Sequence, residues 1–219
     1  MFLGHLALAI AAKRAAPRQS LGTLSFAALF ADLLWPTLLL AGVERARIDA
    51  TATPVPLLFE FYPYSHSLLA LVLWGALIGA AVFMSTRDRA GALVVAALVA
   101  SHWVLDLVVH RPDLPLAPGA GALFGLSLWS SNAATMLLEL ALFATALLLY
   151  FRLRPEQLRR ASLWFFVAFL ITIHLGERLG GGAPPSVQAV AWVGQAQWLL
   201  VALAWWADRA SRVTPAAPA

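Results

Sequence analysis

The chain has 219 residues, 61% of them hydrophobic and only 12% charged, with a mean hydropathy of +0.79. A soluble domain carries about 25% charged residues, so this composition excludes a water-soluble globular fold and points to the lipid bilayer as the chain's surroundings. The formal charge of +4 and the absence of cysteine narrow the chemistry further. Lys and Arg collect in cytoplasmic loops of membrane proteins, so nucleic acid is not implied, and disulfides, iron–sulfur clusters and a cysteine nucleophile are ruled out.

Residues 1–12 form an apolar run, but the charges Lys13, Arg14 and Arg18 follow it, where a signal peptide would carry them in front. At ~1.5 Å per residue the run reaches only ~18 Å, and a short, retained or half-inserted helix is expected. Longer apolar runs lie at 20–42, 66–84, 91–109, 131–151, 161–178 and 187–207. Each approaches the ~20 residues that one crossing needs. Proline, glycine or charge separates them: Thr53 to Pro56, Arg87 to Arg89, Arg111 to Pro118, Arg152 to Arg160 and Gly180 to Pro185. The expected fold is all-α, a polytopic transmembrane helix bundle of about six full spans plus the short N-terminal helix. Residues 1–151 make a membrane domain with a candidate metal site. Residues 152–208 add two further helices of the same bundle, and 209–219 read as a disordered cytoplasmic tail.

Eleven of the fifteen Lys and Arg residues fall on one side of this arrangement. Only Arg45, Arg47, Arg111 and Arg178 fall on the other. That asymmetry predicts a cytoplasmic C-terminus. Trp35, Trp103, Trp129, Trp164 and Trp205 lie near segment ends, as an interfacial aromatic belt would.

Ionisable groups within a bilayer are costly, so each is a functional candidate. Asp32, His102, Asp106, Glu139 and His174 sit inside apolar segments, with His5 in the first helix, His66 and His110 at segment ends, and Glu177 three residues after His174. His102, Asp106 and His110 recur every four residues and form one stripe on a helix. A His and an Asp at i and i+4 can meet one metal, as the two histidines of a His-Glu-x-x-His helix do. Counting from breakers and caps, Asp106 and Glu139 lie roughly 9–10 Å below the outer surface and His102 and Asp32 roughly 15 Å below it, all in one half of the membrane. A shared metal centre is the expectation. His174 has no ligand-type partner at i+4 and is left open. Arg111 and Asp113 are expected to pair in a loop, although Arg111 could also hold an anionic substrate.

Imidazole and carboxylate ligands without sulfur suit zinc, manganese or iron, with zinc the commonest. Three carboxylates nearly balance two divalent cations and a hydroxide, so one or two ions are expected. Such a centre activates water and clamps the oxygens of a displacement. This implies hydrolysis, of a phosphoester above all, and the depth suggests an amphiphilic, lipid-like substrate in the outer leaflet.

Two segments, Tyr62-Pro-Tyr-Ser-His-Ser-Leu68 and Ser101-His-Trp-Val-Leu-Asp-Leu107, with Asp32 upstream, resemble the bacterial inner-membrane metal-dependent hydrolases, a family with LexA-regulated members. The ligand order is also distantly similar to zinc-dependent bacterial phospholipase C, although Thr135 and Met136 stand where that enzyme has a histidine before its last glutamate. The resemblance covers residues 1–150. It implies an inner-membrane location, metal ligation by His5, Asp32, His66, His102, Asp106 and Glu139, and catalytic roles for Asp106, Glu139 and His110. Three other readings stay open: a proton-coupled transporter or channel using the carboxylates, a b-type haem protein with two axial histidines, and a non-enzymatic scaffold.

Overall fold

A computed structural model describes residues 1–52, 55–119, 121–180 and 182–209; residues 210–219 of the expected tail lie outside them. The chain is a helix bundle. Its short helix is α1 (Phe2–Ala12). The first long apolar run forms two helices, α2 (Leu21–Ala28) and α3 (Phe30–Leu40), bent by 55° at Leu29. After β1 (Arg45–Ile48), β2 (Leu57–Phe61) and the single turn α4 (Pro63–His66) come α5 (Leu68–Thr86) and α6 (Arg89–Val109). Beyond β3 (Leu114–Pro115) and β4 (Leu123–Phe124) follow α7 (Asn132–Leu153), α8 (Ala161–Leu179), α9 (Val187–Gln195) and α10 (Gln197–Arg209). Among the described residues, five helical stretches are long and apolar enough to cross a membrane, and six if the bent α2–α3 pair is one crossing.

The helix starts follow local chemistry. Ser20, Ser67, Asp88, Ser131 and Ser186 each accept a hydrogen bond from a first-turn amide, the exchange that favours these residues as N-caps. The cap of α7 is thus Ser131, one residue before Asn132. Among the described residues the loops between helices hold two hairpins that the apolar pattern did not announce: β1 pairs antiparallel with β2, and β3 with β4.

Helix α1 is the expected short helix, and it is buried within the bundle. Leu3, His5, Leu6, Ala7, Ala9 and Ile10 are all buried, and α1 is the post around which α2, α6, α7 and α8 pack. One apolar core joins it to α7, α8 and α10, the other to α2, α3, α5 and α6. Trp35 and Trp103 belong to the second core at 7% exposure each, so the belt reading fails for them. The Trp103 indole donates to the Pro115 carbonyl at 3.0 Å. Trp164 and Trp205 are exposed.

Helices α5 and α6 form a close hairpin. The bilayer gives little hydrophobic force between helices, and small residues that let backbones approach take its place. Gly75 and Gly79 occupy that seam. A Cβ at Gly75 would stand 2.6 Å from the Ala96 carbonyl oxygen, and one at Gly79 would stand 2.9 Å from that of Ala92. Gly75→Leu is therefore expected to cost about 1–3 kcal/mol by overpacking, read as a lower apparent Tm in detergent. Gly176→Leu, where nothing lies within 4 Å of an added Cβ, should leave the Tm unmoved. Equal Tm values for the two variants would contradict this packing.

Candidate metal centre

The stripe on α6 faces inward. Asp106, buried at the centre, divides its two oxygens. Its Oδ1 accepts from the Met1 α-amino group at 2.8 Å and lies 3.1 Å from His5 Nε2. Its Oδ2 faces three imidazoles, with His102 Nε2 at 3.1 Å, His110 Nε2 at 3.5 Å and His66 Nε2 at 3.9 Å. Asp32 enters from α3, with Oδ1 3.6 Å from His66 Nε2 and 3.7 Å from His102 Nε2. The rings of His5 and His102 stack 3.7 Å apart. Four of the chain's five histidines and two carboxylates thus come from α1, α3, α4, α6 and its C-cap to one place.

The outer nitrogens reveal how the rings are held. His102 Nδ1 lies 2.9 Å from the Ala28 carbonyl oxygen, which can only accept, so Nδ1 carries the proton. That carbonyl is available because the helix breaks there: Leu29 N bonds to Ser25 O and Leu33 N to Leu29 O across the bend, and Ala28 O is left out of the ladder. His66 Nδ1 lies 2.7 Å from Ser65 Oγ, and that hydroxyl donates to Glu44 Oε2 at 2.6 Å. The hydroxyl proton is therefore engaged, and His66 Nδ1 donates. Glu44 is itself buried and also accepts from the Tyr64 and Ser65 amides. His110 Nδ1 donates to Asp113 Oδ1 at 2.9 Å, and Tyr62 donates its hydroxyl to the same oxygen at 2.8 Å. Burial, and then the Asp113 carboxylate, push the Tyr62 phenol well above its ordinary range, so it stays a donor.

The result is one orientation repeated three times. In neutral His66, His102 and His110 the proton sits on Nδ1 and the Nε2 lone pair faces Asp106. Metal-binding histidines are held in this way by partners on their other nitrogen. His102 Nε2, fully buried, has no hydrogen-bond partner among the described residues despite its short distance to Asp106. An orphaned buried lone pair facing carboxylates suits a cation. Among the described residues, two sets have donor atoms within 4.8 Å of one another: His5, Asp32 and His102; and His66, His102 and Asp106. These buried groups could hold a metal ion. Asp32 is the open member, with 26% of its side chain exposed against 4% or less for the others.

Glu139 and Arg111 are placed elsewhere. Glu139 Oε2 accepts from the amides of Leu3 at 2.7 Å and Gly4 at 3.4 Å, capping α1, while Oε1 accepts from Arg178 at 3.2 Å. An acidic group there also meets the positive end of the helix dipole. Glu139 belongs to neither ligand set. His174 is buried 4.0 Å from it, and Glu177 is on the exposed face of α8. Arg111 donates to the Val55 carbonyl at 2.8 Å, and Asp113 pairs with His110 and Tyr62 instead of Arg111. Sequence reasoning missed Glu44, Ser65, Tyr62 and the Ala28 carbonyl. The Tyr62-Pro-Tyr-Ser-His66 segment held the only usable sign, a hydroxyl next to a histidine.

No protein-family model, curated protein or solved structure matches the chain.

Proposed function

We propose that the chain is a membrane-embedded, metal-dependent hydrolase acting on a phosphoester, carried by a lipid-like molecule in the outer leaflet of a bacterial inner membrane, with zinc as the metal and the C-terminus in the cytoplasm. The observation that carries this reading is the common orientation of His66, His102 and His110, each fixed through Nδ1 with Nε2 turned to Asp106. The resemblance of the two histidine-bearing segments to inner-membrane hydrolases supports it as well.

His5, Asp32, His66, His102 and Asp106 are the residues that would hold the ion. A divalent ion in such a site supplies Lewis acidity, activating water and stabilising charge on phosphoryl oxygens. His110 has the bearing of a general base: its ring is oriented by Asp113, and it stands outside both ligand sets. At Nε2 it would take the proton of the attacking water and return it to the leaving oxygen. Asp32, the most open group, lies on the substrate's side. Glu139 has a structural role in this scheme. A proton-coupled transporter would use the same carboxylates but gives no reason for three imidazoles fixed with their lone pairs towards them.

Protein purified from membranes in mild detergent should carry stoichiometric zinc by elemental analysis and hydrolyse a chromogenic phosphodiester in a chelator-sensitive way. Metal-free protein that is indifferent to chelator would sink the reading.

A further inference from the structure

Residues of the same two stretches of chain, 59–64 and 113–119, wall two adjoining hollows. The first is a cavity of about 220 Å³ between β2 and the β3–β4 hairpin, with Phe59, Phe61, Tyr62, Asp113, Pro115 and Leu123 in its walls. The second is a groove of about 310 Å³ along α5, lined by Tyr64, Leu69, Leu73, Leu77 and Pro118. Pro63 and Ala117 face the cavity, while their neighbours Tyr64 and Pro118 line the groove.

The groove is apolar. Leu69, Leu73 and Leu77 are exposed and recur every four residues, one stripe on a helix long and apolar enough to span the membrane. The stripe runs about 12 Å down that helix at ~1.5 Å per residue. The Trp74 indole in its wall is satisfied by the Tyr64 carbonyl at 3.1 Å. The cavity differs. Asp113 accepts from His110 and Tyr62 through Oδ1, while its Oδ2 has no partner among the described residues and its side chain is 19% exposed. Glu60, also in the wall, is held by Arg47 at 3.1 Å. No Lys, Arg or His is among the described residues that line the cavity, so an anion would meet a carboxylate with nothing to offset it. A calcium ion would need about six to eight oxygens. An organic ammonium needs only the one carboxylate, and aromatic walls suit it. Arg45 lies over the Phe61 ring at 5.3 Å, which leaves Phe59, Tyr62 and the aliphatic side chains as walls for such a group.

We propose that the cavity binds the ammonium headgroup of a zwitterionic phospholipid, with Asp113 Oδ2 as counter-charge and one acyl chain lying in the groove on α5. A hollow with a free carboxylate beside a wholly apolar one has the division of an amphiphile. A free amine would use the cavity alone and give the groove no part, whereas a lipid uses both. The proposal goes beyond the hydrolase reading and does not need it, because none of the residues that would hold the ion walls either hollow. Asp113 does meet His110 through its other oxygen, which brings the bound lipid beside the centre. Together the two readings name a zwitterionic phospholipid as the substrate.

The test uses the full-length protein. In nanodiscs of phosphatidylglycerol, a lipid without an ammonium group, choline chloride is titrated as the probe. Its methyl protons should show intermolecular NOEs to the rings of Phe59 and Tyr62. In mixed micelles holding equal amounts of phosphatidylglycerol, phosphatidylcholine and phosphatidylethanolamine, native mass spectrometry reads which lipid the protein keeps. The two zwitterionic lipids should be retained over phosphatidylglycerol by about tenfold, the value of one hydrogen bond to a charged group. Asp113→Asn, which removes the charge, and Leu123→Trp, which fills the cavity, should each abolish that preference. Leu126→Trp, at an exposed residue outside the cavity, should keep it. Equal retention of the three lipids overturns the proposal, and so does a preference that survives either cavity substitution. Choline binding without any lipid preference assigns the cavity to a free amine and overturns the proposal too. The NOEs and lipid preference of the unsubstituted protein decide the matter if a variant folds poorly. Metal content and phosphodiester hydrolysis are measured on the same samples. Metal-free, inactive protein that keeps the lipid preference supports the proposal and removes the hydrolase reading.

Discussion

Asp106→Ala is expected to abolish metal retention. Asp106 faces all four imidazoles and belongs to one of the two ligand sets, with His66 and His102. Losing it removes a ligand and half of the pair of carboxylates that would balance a divalent charge. The fall in affinity should exceed the tenfold to hundredfold that loss of an outer partner costs. That comparison supplies an internal scale. Ser65→Ala and Glu44→Gln leave every candidate ligand in place and release only the grip on His66, so they should fall within tenfold to hundredfold. Glu139→Gln should leave affinity unchanged, because Glu139 bonds to the amides of α1 and to Arg178. Competition with a zinc-sensitive dye gives all four values. A series in which Glu139→Gln ranks with Asp106→Ala would contradict the geometry and restore the ligand set drawn from sequence.

Asp208→Ala should be the most destabilising substitution away from the site. Lys13 and Asp208 form an ion pair with side chains only 4% and 1% exposed, Nζ to Oδ1 being 3.3 Å. Lys13 also donates to the Gln19 carbonyl at 2.7 Å, and Asp208 accepts from the Leu21 amide at 3.1 Å. The pair ties the end of α10 to the α1–α2 turn. Removing one member leaves a buried charge, a loss of about 3–5 kcal/mol. Replacing both with apolar groups, as in Lys13→Met with Asp208→Leu, should recover part of that loss, because the unpaired charge goes while the Gln19 carbonyl and Leu21 amide lose their partners. Unfolding in mixed micelles measures it. If the double variant were no more stable than Asp208→Ala, the pair would not be the source of the effect.

The spans were legible because long apolar runs and their breakers are one-dimensional properties, and a bilayer enforces both. The α6 stripe was legible for a similar reason, since three residues on one helix need no tertiary knowledge. Depth arithmetic had a limit of its own. It gives height along the membrane normal and says nothing of direction around a helix axis. Glu139, whose place in the sequence gives it the depth of Asp106, turns to the end of α1, and Trp35 and Trp103, which lie near segment ends, face the core. Lys13 was counted as a loop cation, and only the fold brings Asp208 to it. The grip of Glu44 on His66 runs through a hydroxyl across a chain separation of about twenty residues, which no spacing rule would connect. Length marked α1 as short but could not show that it packs in the middle of the bundle, where its small and apolar residues are buried.

The bend at Leu29 bears on how this site can vary between descendants of the chain. His102 is steered by an oxygen of the main chain, and every amino acid at position 28 brings that same atom. Drift in the side chain there can proceed without loosening the ring, provided the new residue fits the buried space. His66 has no such insurance, because its steering passes through the side chains of Ser65 and Glu44, and those two must change together or not at all. One histidine's orientation is therefore inherited with the shape of the chain, the other's with its letters. What endangers the first is any change that straightens the α2–α3 bend and draws the carbonyl back into a continuous helix.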